Sequence, residues 1–202
     1  MIAIIDYGCG NLFSLSSSLK SLGIDCKITG DKSEIEDADK IILPGVGAFA
    51  DAAKKLIDCG MDILIKKLAA EGKPILGICL GMQLLFDKSF EYGVHDGLGL
   101  IKGLVGPLEG NVPAELKIPH MGWNKLNLAK SDPIFKYIVP GDYMYFVHSF
   151  YAKNCIENTL AFAEYGVAVP AVVKNGSVYG MQFHPEKSGS KGLALLKAFS
   201  EI

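Results

Sequence analysis

A cysteine stands between two closely spaced glycines at residues 77–81 (GICLG). An apolar run at residues 74–78 predicts a short buried strand before it, and residues 82–86 predict the first turns of a helix after it. A nucleophile at such a strand-to-helix turn forms a nucleophile elbow, here with a thiol. The turn is so tight that side chains two residues before and after Cys79 would collide, and glycine has none. This pattern predicts Cys79 as a catalytic nucleophile, although a buried structural cysteine would also fit it.

The backbone around the predicted nucleophile offers hydrogen-bond donors for a negatively charged intermediate. The helix after Cys79 would direct its free N–H groups and positive end at the sulfur, which favours a thiolate. The N–H of Leu80 would then stabilise an oxyanion. A second loop, residues 44–47 (PGVG), follows a predicted strand and precedes a predicted helix. Because its glycines let backbone N–H groups approach a ligand, we expect oxyanion donors at Val46 and Gly47.

A catalytic cysteine needs a base and a group that orients the base. His184 follows the apolar segment 178–183, and Pro185 and Glu186 come next. In an extended segment, side chains two residues apart lie on the same side, so Glu186 would hold one ring nitrogen of His184 and leave the other for Cys79. The sequence thus predicts a triad of nucleophile, general base and orienting carboxylate. By itself, the His-Pro-Glu segment fits a surface turn after a strand better than a catalytic pair, and it is the elbow about a hundred residues upstream that favours the triad.

Further polar groups are predicted to face the same site. Gln83 lies one helical turn beyond the nucleophile. His148, Ser149 and Phe150 follow an aromatic, strand-prone segment, and their backbone and hydroxyl groups could hold the polar end of an amino-acid substrate. We therefore predict these four residues, together with Gly47, as substrate-binding. A surface amide on a helix and a hydrogen-bonded histidine at a strand end are the plainer interpretations of Gln83 and His148.

Composition limits the classes of function. The chain has 202 residues, half of them hydrophobic, and a formal net charge of −2, so we expect one globular domain over residues 1–202 and no nucleic-acid or membrane partner. The five cysteines are scattered and form no CxxC pair, so neither a disulfide framework nor a zinc site is indicated. No basic stretch precedes the apolar run at residues 2–5, and no apolar run is long enough to span a bilayer. We expect a cytoplasmic location.

Short apolar runs alternate with helical patterns through the first half of the chain. Strands are predicted at residues 2–5, 25–29, 40–43 and 74–78, with helices between them and an acidic connector at residues 33–39. This alternation predicts an α/β fold with a mostly parallel central sheet flanked by helices, whose ligands bind beyond the carboxyl ends of the strands.

The second half has a different pattern. Glycines break it into short pieces, the segment 119–124 is predicted as a loop, and Asn175-Gly176 predicts a hairpin turn between two strands. Residues 192–199 close the chain as a helix. We therefore expect a mixed or antiparallel β portion in the C-terminal half.

Three segments together resemble the class I, triad-type glutamine amidotransferases. They are residues 44–47 (PGVG), 77–83 (GICLGMQ) and 182–188 (QFHPEKS), and the resemblance extends over essentially the whole chain. It implies a three-layer fold, no cofactor and no metal. It also implies that Cys79 attacks the side-chain amide of L-glutamine, that His184 protonates the leaving ammonia, and that water then hydrolyses the glutamyl thioester.

Within this class, three other segments resemble the glutaminase subunits of imidazole glycerol phosphate synthases of histidine biosynthesis. They are residues 4–12 (IIDYGCGNL), 119–124 (PHMGWN) and 145–150 (YFVHSF); Cys9 is a small departure from the usual pattern. This resemblance implies a heterodimer in which ammonia passes to a (β/α)₈-barrel cyclase, with the 44–47 loop as the switch. It also implies a partner surface around the active site, formed by loop residues: Asn11, Trp123, Asn124, Lys187 and Ser188. A lone tryptophan in a loop is a plausible interface anchor, and a core position is the alternative.

Other functions remain compatible with the sequence. The same chemistry could supply ammonia to another synthase, for example in surface-sugar biosynthesis, and the chain could be a catalytically silent interaction subunit. A thiol hydrolase with the same type of sheet could also use an elbow cysteine. The fragments Gly8-x-Gly10 and Gly45-x-Gly47-x-x-Ala50 resemble parts of a dinucleotide fingerprint, but neither gives the full pattern with a well-placed acidic residue about 20 positions later. Cys9, in a glycine loop, is a distant second candidate nucleophile.

Overall fold

The computed structural model of the chain describes residues 1–202. It contains fourteen strands: β1 (Ile2–Ile5), β2 (Cys26–Thr29), β3 (Lys40–Leu43), β4 (Ile75–Ile78), β5 (Phe86–Ser89), β6 (His95–Asp96), β7 (Ile101–Pro107), β8 (His120–Lys125), β9 (Asn127–Leu128), β10 (Tyr143–His148), β11 (Phe150–Lys153), β12 (Thr159–Glu164), β13 (Ala168–Asn175) and β14 (Val178–Met181). Six α-helices complete it: α1 (Leu12–Ser21), α2 (Lys32–Asp37), α3 (Phe49–Asp58), α4 (Met61–Ala70), α5 (Leu80–Leu84) and α6 (Gly189–Glu201). Short 3₁₀ helices lie at Pro133–Phe135, Ile156–Asn158 and Pro185–Lys187.

An eight-stranded central sheet has the order β2-β1-β3-β4-β14-β13-β12-β9. The pairs from β2 to β14 are parallel, and those from β14 to β9 are antiparallel. Strands β1, β4 and β14 are buried over their whole length, as expected of strands covered on both faces. The predicted mostly parallel sheet with an antiparallel C-terminal portion is confirmed. A four-stranded sheet, β11-β7-β5-β6, and the β8–β10 ribbon lie beside it.

The hydrophobic core lies on both faces of the central sheet. Side chains alternate along β1, so that Ala3 and Ile5 belong to one buried cluster while Ile2 and Ile4 belong to the other. The first cluster includes the buried faces of α3 and α4, and the second includes those of α1 and α6. Two layers of helices therefore enclose the sheet, which confirms the three-layer α/β architecture. No helix is both long enough and apolar enough to cross a bilayer.

Three local predictions were wrong. The connector at residues 33–39 is largely helix α2, whose N-terminus is capped by the carboxylate of Asp31. The segment 119–124 is strand β8, which pairs antiparallel with β10 from Lys125 to His120; a glycine and several polar residues concealed its β character. Helix α5 has only five residues and ends at Leu84, because Phe86 already belongs to β5.

Candidate active site

Cys79 lies at a strained junction between β4 and α5. Its φ of 54° and ψ of −111° are unusual for a residue with a side chain. A Cβ atom on Gly81 would lie 1.9 Å from the carbonyl oxygen of Leu43, and one on Gly77 would lie 2.6 Å from the carbonyl oxygen of Gly81. Both glycines of the predicted elbow are therefore required by close approach of the backbone, as their spacing indicated.

Sheet pairing brings the histidine to the cysteine. Strand β14 lies parallel to β4 with Met181 opposite Ile78, and the N–H of Cys79 donates to the carbonyl oxygen of Met181 at 2.7 Å. His184 follows β14 by three residues, and its N–H donates to the carbonyl oxygen of Tyr145 on β10 at 3.0 Å. Two residues separated by more than a hundred positions thus face each other at the carboxyl ends of neighbouring strands.

Glu186 holds the imidazole of His184. Its Oε1 lies 2.8 Å from Nδ1 of His184, and both side chains are almost completely buried. The expected route to this contact was an extended segment, but residues Pro185–Lys187 form a 3₁₀ turn that folds the carboxylate back onto the ring. The predicted contact is present, although its backbone geometry differs from the expectation.

The electrostatics of this group favour a protonated imidazole. Burial by itself lowers the pKa of His184, but hydrogen bonding to Cys79 and Glu186, together with their charges, raises this pKa to about 9. The ring therefore carries its second proton at neutral pH. The positive charge of this ring lies beside the sulfur of Cys79.

The 44–47 loop packs directly against the elbow. A Cβ atom on Gly45 would lie 2.7 Å from the backbone nitrogen of Gly81, and the hydroxyl of Tyr7 donates to the carbonyl oxygen of Pro44 at 2.8 Å. Gly47 has a φ of +101°, which glycine adopts readily. Leu80 is the first residue of α5, so its N–H has no partner within the helix. Both predicted sources of oxyanion donors therefore border the sulfur.

An open cavity of about 340 Å³ lies over Cys79. Its lining includes most of the predicted site residues together with three that sequence reasoning missed, and consists of Val46, Gly47, Cys79, Leu80, Gln83, Glu91, Tyr92, Val147, His148, Ser149, Phe150, His184 and Lys187. The missed residues are Glu91, Tyr92 and Val147. Glu91 is buried, and its Oε2 accepts the N–H of Phe49 at 2.9 Å. No local motif marks Glu91, because it reaches the site from a loop after β5.

The predicted substrate-binding residues differ in how they are held. The side-chain nitrogen of Gln83 donates to the carbonyl oxygen of Phe150 at 2.9 Å and to Oε1 of Gln182 at 3.1 Å. Gln182, whose side chain the sequence did not single out for a role, also has its amide nitrogen 3.9 Å from the sulfur of Cys79. Both ring nitrogens of His148 have partners inside the protein, so its side chain has none left for a substrate.

The predicted partner residues differ in exposure and in their contacts, and one of them is buried. Trp123 is 52% exposed, packs edge-on against Tyr145 and is not a core residue. Lys187 is exposed at the rim of the cavity. The side chain of Asn11 caps α1, and that of Asn124 donates to the carbonyl oxygen of Glu164 at 2.9 Å.

Ser188 is the buried one: it is only 2% exposed and cannot present its side chain to a partner. Its hydroxyl donates to the carbonyl oxygen of His184 at 2.7 Å and accepts the N–H of Tyr145 at 2.9 Å. Ser188 therefore fixes the backbone that carries the histidine, and the prediction of an interface role is corrected.

The fold and this arrangement of side chains resemble those of α/β enzymes that use a thiol nucleophile. Comparison with known proteins specifies the family. Residues 3–201 match the family described as glutamine amidotransferase class-I. The chain belongs to the class-I glutamine amidotransferases.

Curated relatives cover the chain from end to end. The protein named imidazole glycerol phosphate synthase subunit HisH from Caldanaerobacter subterraneus subsp. tengcongensis is 53% identical, with 100% of this chain and 98% of that protein aligned. Proteins of the same name from Oceanobacillus iheyensis and Listeria monocytogenes are 49% and 48% identical, with 100% of this chain and 99% and 96% of theirs aligned.

Solved structures support the fold. A crystal structure described as a glutamine amidotransferase superimposes with a TM-score of 0.77 at 21% identity, covering 100% of this chain and 98% of that one. The structure of PurLQS from Thermotoga maritima gives a TM-score of 0.74 at 23% identity, with 98% and 96% covered. At these identities, the likeness concerns the fold alone.

Proposed function

We propose that the chain is the glutaminase subunit of an imidazole glycerol phosphate synthase. It hydrolyses L-glutamine to glutamate and ammonia, and the ammonia serves a partner cyclase of the (β/α)₈-barrel type. One arrangement carries this proposal: Cys79 and His184 line the same open cavity, and Glu186 holds the ring of His184 from behind. Relatives of about 50% identity that align over the full chain and are named as the HisH subunit support the choice of synthase.

The cavity offers complementary groups to an amino acid. Glu91 provides the one carboxylate in the lining, and we assign it to the α-ammonium group of glutamine. Lys187 at the rim is the matching cation for the α-carboxylate. The nitrogen of Gln83 is engaged by the protein, which leaves its oxygen to accept a hydrogen bond from the substrate. The side-chain amide of glutamine is then directed towards the sulfur.

The reaction follows from the protonation state of the site. The thiolate of Cys79 attacks the side-chain carbonyl carbon of glutamine, and the negative charge moves to the carbonyl oxygen beside the N–H of Leu80 and the 44–47 loop. The imidazolium of His184 donates its proton to the leaving nitrogen, so ammonia departs and a glutamyl thioester remains. Neutral His184 then takes a proton from water, which attacks the thioester and releases glutamate. Glu186 holds the ring in the productive tautomer throughout.

A partner surface surrounds the mouth of the site. Val46 and Trp123 are exposed there, and Met121, which no local motif marks, is exposed on the same side of β8 as Trp123. Exposed apolar and aromatic side chains beside a catalytic cavity favour a protein partner. We propose that the cyclase docks on this surface with Asn11, Asn124 and Lys187 at its polar rim, and that docking adjusts the 44–47 loop. Free cysteines suit the proposed cytoplasmic location.

Replacing the nucleophile tests the proposal. In the complex with the cyclase, Cys79→Ala should abolish glutamine hydrolysis, while synthesis from added ammonia continues because the cyclase is intact. The matched control is Cys59→Ala, which changes an exposed free cysteine and should preserve both activities. Glutamine hydrolysis that persisted in Cys79→Ala would contradict the proposal.

Partner dependence provides a second test. The wild-type chain alone should hydrolyse glutamine slowly, and the rate should rise sharply when a cyclase with bound ligand is added. Full activity of the chain in isolation would argue against the proposed switch at the 44–47 loop.

A further inference from the structure

Two buried histidines outside the triad form a hydrogen-bonded pair. Nδ1 of His120 lies 3.0 Å from Nε2 of His148, and Nδ1 of His148 lies 2.9 Å from the carbonyl oxygen of Phe150. Both rings are almost fully buried, and His120 stacks between Phe146 and Tyr165 with ring centroids 4.9 and 3.9 Å away. Neither histidine takes part in the proposed proton transfers.

The direction of these hydrogen bonds is fixed by one fact, that a carbonyl oxygen can only accept. His148 must therefore donate from Nδ1 to Phe150, which leaves Nε2 of a neutral ring as an acceptor. His120 must then donate from its own Nδ1, so its Nε2 is the acceptor, and that atom is buried without a partner. Both rings have the same tautomer, with the proton on Nδ1.

The chain of hydrogen bonds continues into the cavity. The carbonyl oxygen of Phe150 that accepts from His148 also accepts from the side-chain nitrogen of Gln83. The second N–H of that nitrogen is used by Gln182. The amide plane of Gln83 is thereby fixed, and its orientation depends on where the Phe150 carbonyl is held.

We propose that His148, whose ring is held in place by the hydrogen bond from His120, is a positioning residue that fixes the Phe150 carbonyl and, through it, the substrate-facing oxygen of Gln83. This inference rests on the proposed glutaminase function, since it assigns His148 and His120 to the shape of the glutamine pocket. The sequence predicted that His148 contacts the substrate, whereas in this inference its ring supports the residues that do.

The charge state of the pair suits this role. Burial lowers the pKa of His148 to about 3, with a further contribution from His120, and burial lowers the pKa of His120 to about 4. Each ring is therefore neutral at physiological pH and has one proton and one lone pair. A neutral ring is required, because a doubly protonated His148 could not accept from His120.

Two substitutions at one position separate hydrogen bonding from packing. His120→Phe retains an aromatic ring between Phe146 and Tyr165 but removes the donor. His120→Asn loses the ring but places an amide nitrogen near the former Nδ1. In the complex with the cyclase, His120→Phe should raise KM for glutamine about fivefold, as expected for the loss of one neutral hydrogen bond, with kcat nearly unchanged. His120→Asn should stay within about twofold of wild-type KM even if it is less stable.

Three kinetic outcomes overturn the inference. They are an unchanged KM in His120→Phe, an equal rise in both variants that follows their loss of thermal stability, and a fall in kcat alone. As a control on the nucleophile, alkylation of Cys79 by iodoacetamide should proceed at the wild-type rate in both variants. Slower alkylation would mean that the histidine pair acts on the sulfur, which also overturns the inference.

Nitrogen NMR of the wild-type chain tests the same hydrogen bonds without any variant. Both histidines should show the Nδ1–H tautomer, and a signal for Nε2–H on His148 would overturn the inference even if the variants failed to fold. This result is independent of glutaminase activity. Hydrolysis that persisted in Cys79→Ala would instead refute the proposed function.

Discussion

Replacing Glu186 with glutamine removes a charge from the triad while retaining a side chain of the same shape. Glu186 is buried and contacts Nδ1 of His184 at 2.8 Å, so its charge is poorly screened by solvent. A hydrogen bond to a charged group contributes about 1.5–3 kcal/mol, against about 1 kcal/mol for a neutral one. The difference, about 1–2 kcal/mol, should lower the pKa of His184 from about 9 towards its ordinary value of 6.5 and reduce kcat/KM about tenfold. A glutamine that turned its nitrogen towards the ring would select the wrong tautomer and reduce the rate further.

Proton titration followed by NMR measures the pKa of His184 directly, in the wild-type chain and in Glu186→Gln. Glutamine hydrolysis in the complex with the cyclase provides the rates. The control is Glu115→Gln, the same substitution at an exposed glutamate, which should change neither quantity. A wild-type His184 that titrated near 6.5, or a pKa that stayed near 9 in Glu186→Gln, would refute the proposed electrostatics.

Three further predictions follow from the structure. Gly81→Ala should lower the free energy of unfolding by about 3 kcal/mol or more in urea titrations, because the new Cβ would lie 1.9 Å from the carbonyl oxygen of Leu43. A variant with near wild-type stability would contradict this close approach. Ser188→Ala should lower the free energy of unfolding by about 1–3 kcal/mol in the same assay and reduce kcat, because the N–H of Tyr145 loses its acceptor. Weaker cyclase binding with unchanged stability would instead restore an interface role for Ser188. Because the pKa values of His120 and His148 are depressed in the folded chain, the free energy of unfolding should be highest above pH 6.5 and should fall as the pH drops towards 4 and then 3. This fall should be shallower in His120→Phe, and equal pH slopes in the two proteins would contradict the prediction.

The parallel half of the sheet could be predicted because each of its strands is a short apolar run bounded by turn residues. Strand β1 is buried on both faces, and such a strand leaves a continuous apolar signature in the sequence. The hairpin at Asn175-Gly176 was also predictable, since this pair favours a tight turn, and β13 and β14 pair there as expected. Strand β8 was not predictable in this way, because its exposed face and Gly122 remove the β signal and only pairing with β10 defines it.

The same distinction applies to the candidate site. The elbow around Cys79 and the carboxylate beside His184 depend on neighbours in sequence, so spacing alone could indicate them. Glu91 and His120 enter the site region from segments that no local rule connects to the cysteine. Their roles follow only from which strands the fold brings together, and that information is spread over the whole chain.

Trapping the covalent intermediate tests the central claim most directly. The complex with a liganded cyclase is mixed with glutamine, quenched rapidly in acid and digested, and peptides with an added glutamyl group are located by mass spectrometry. A glutamyl thioester should be found on Cys79, and it should be absent in the Cys79→Ala variant. A glutamyl group on another of the five cysteines, or glutamine turnover with no adduct on Cys79 at any quench time, would contradict the account.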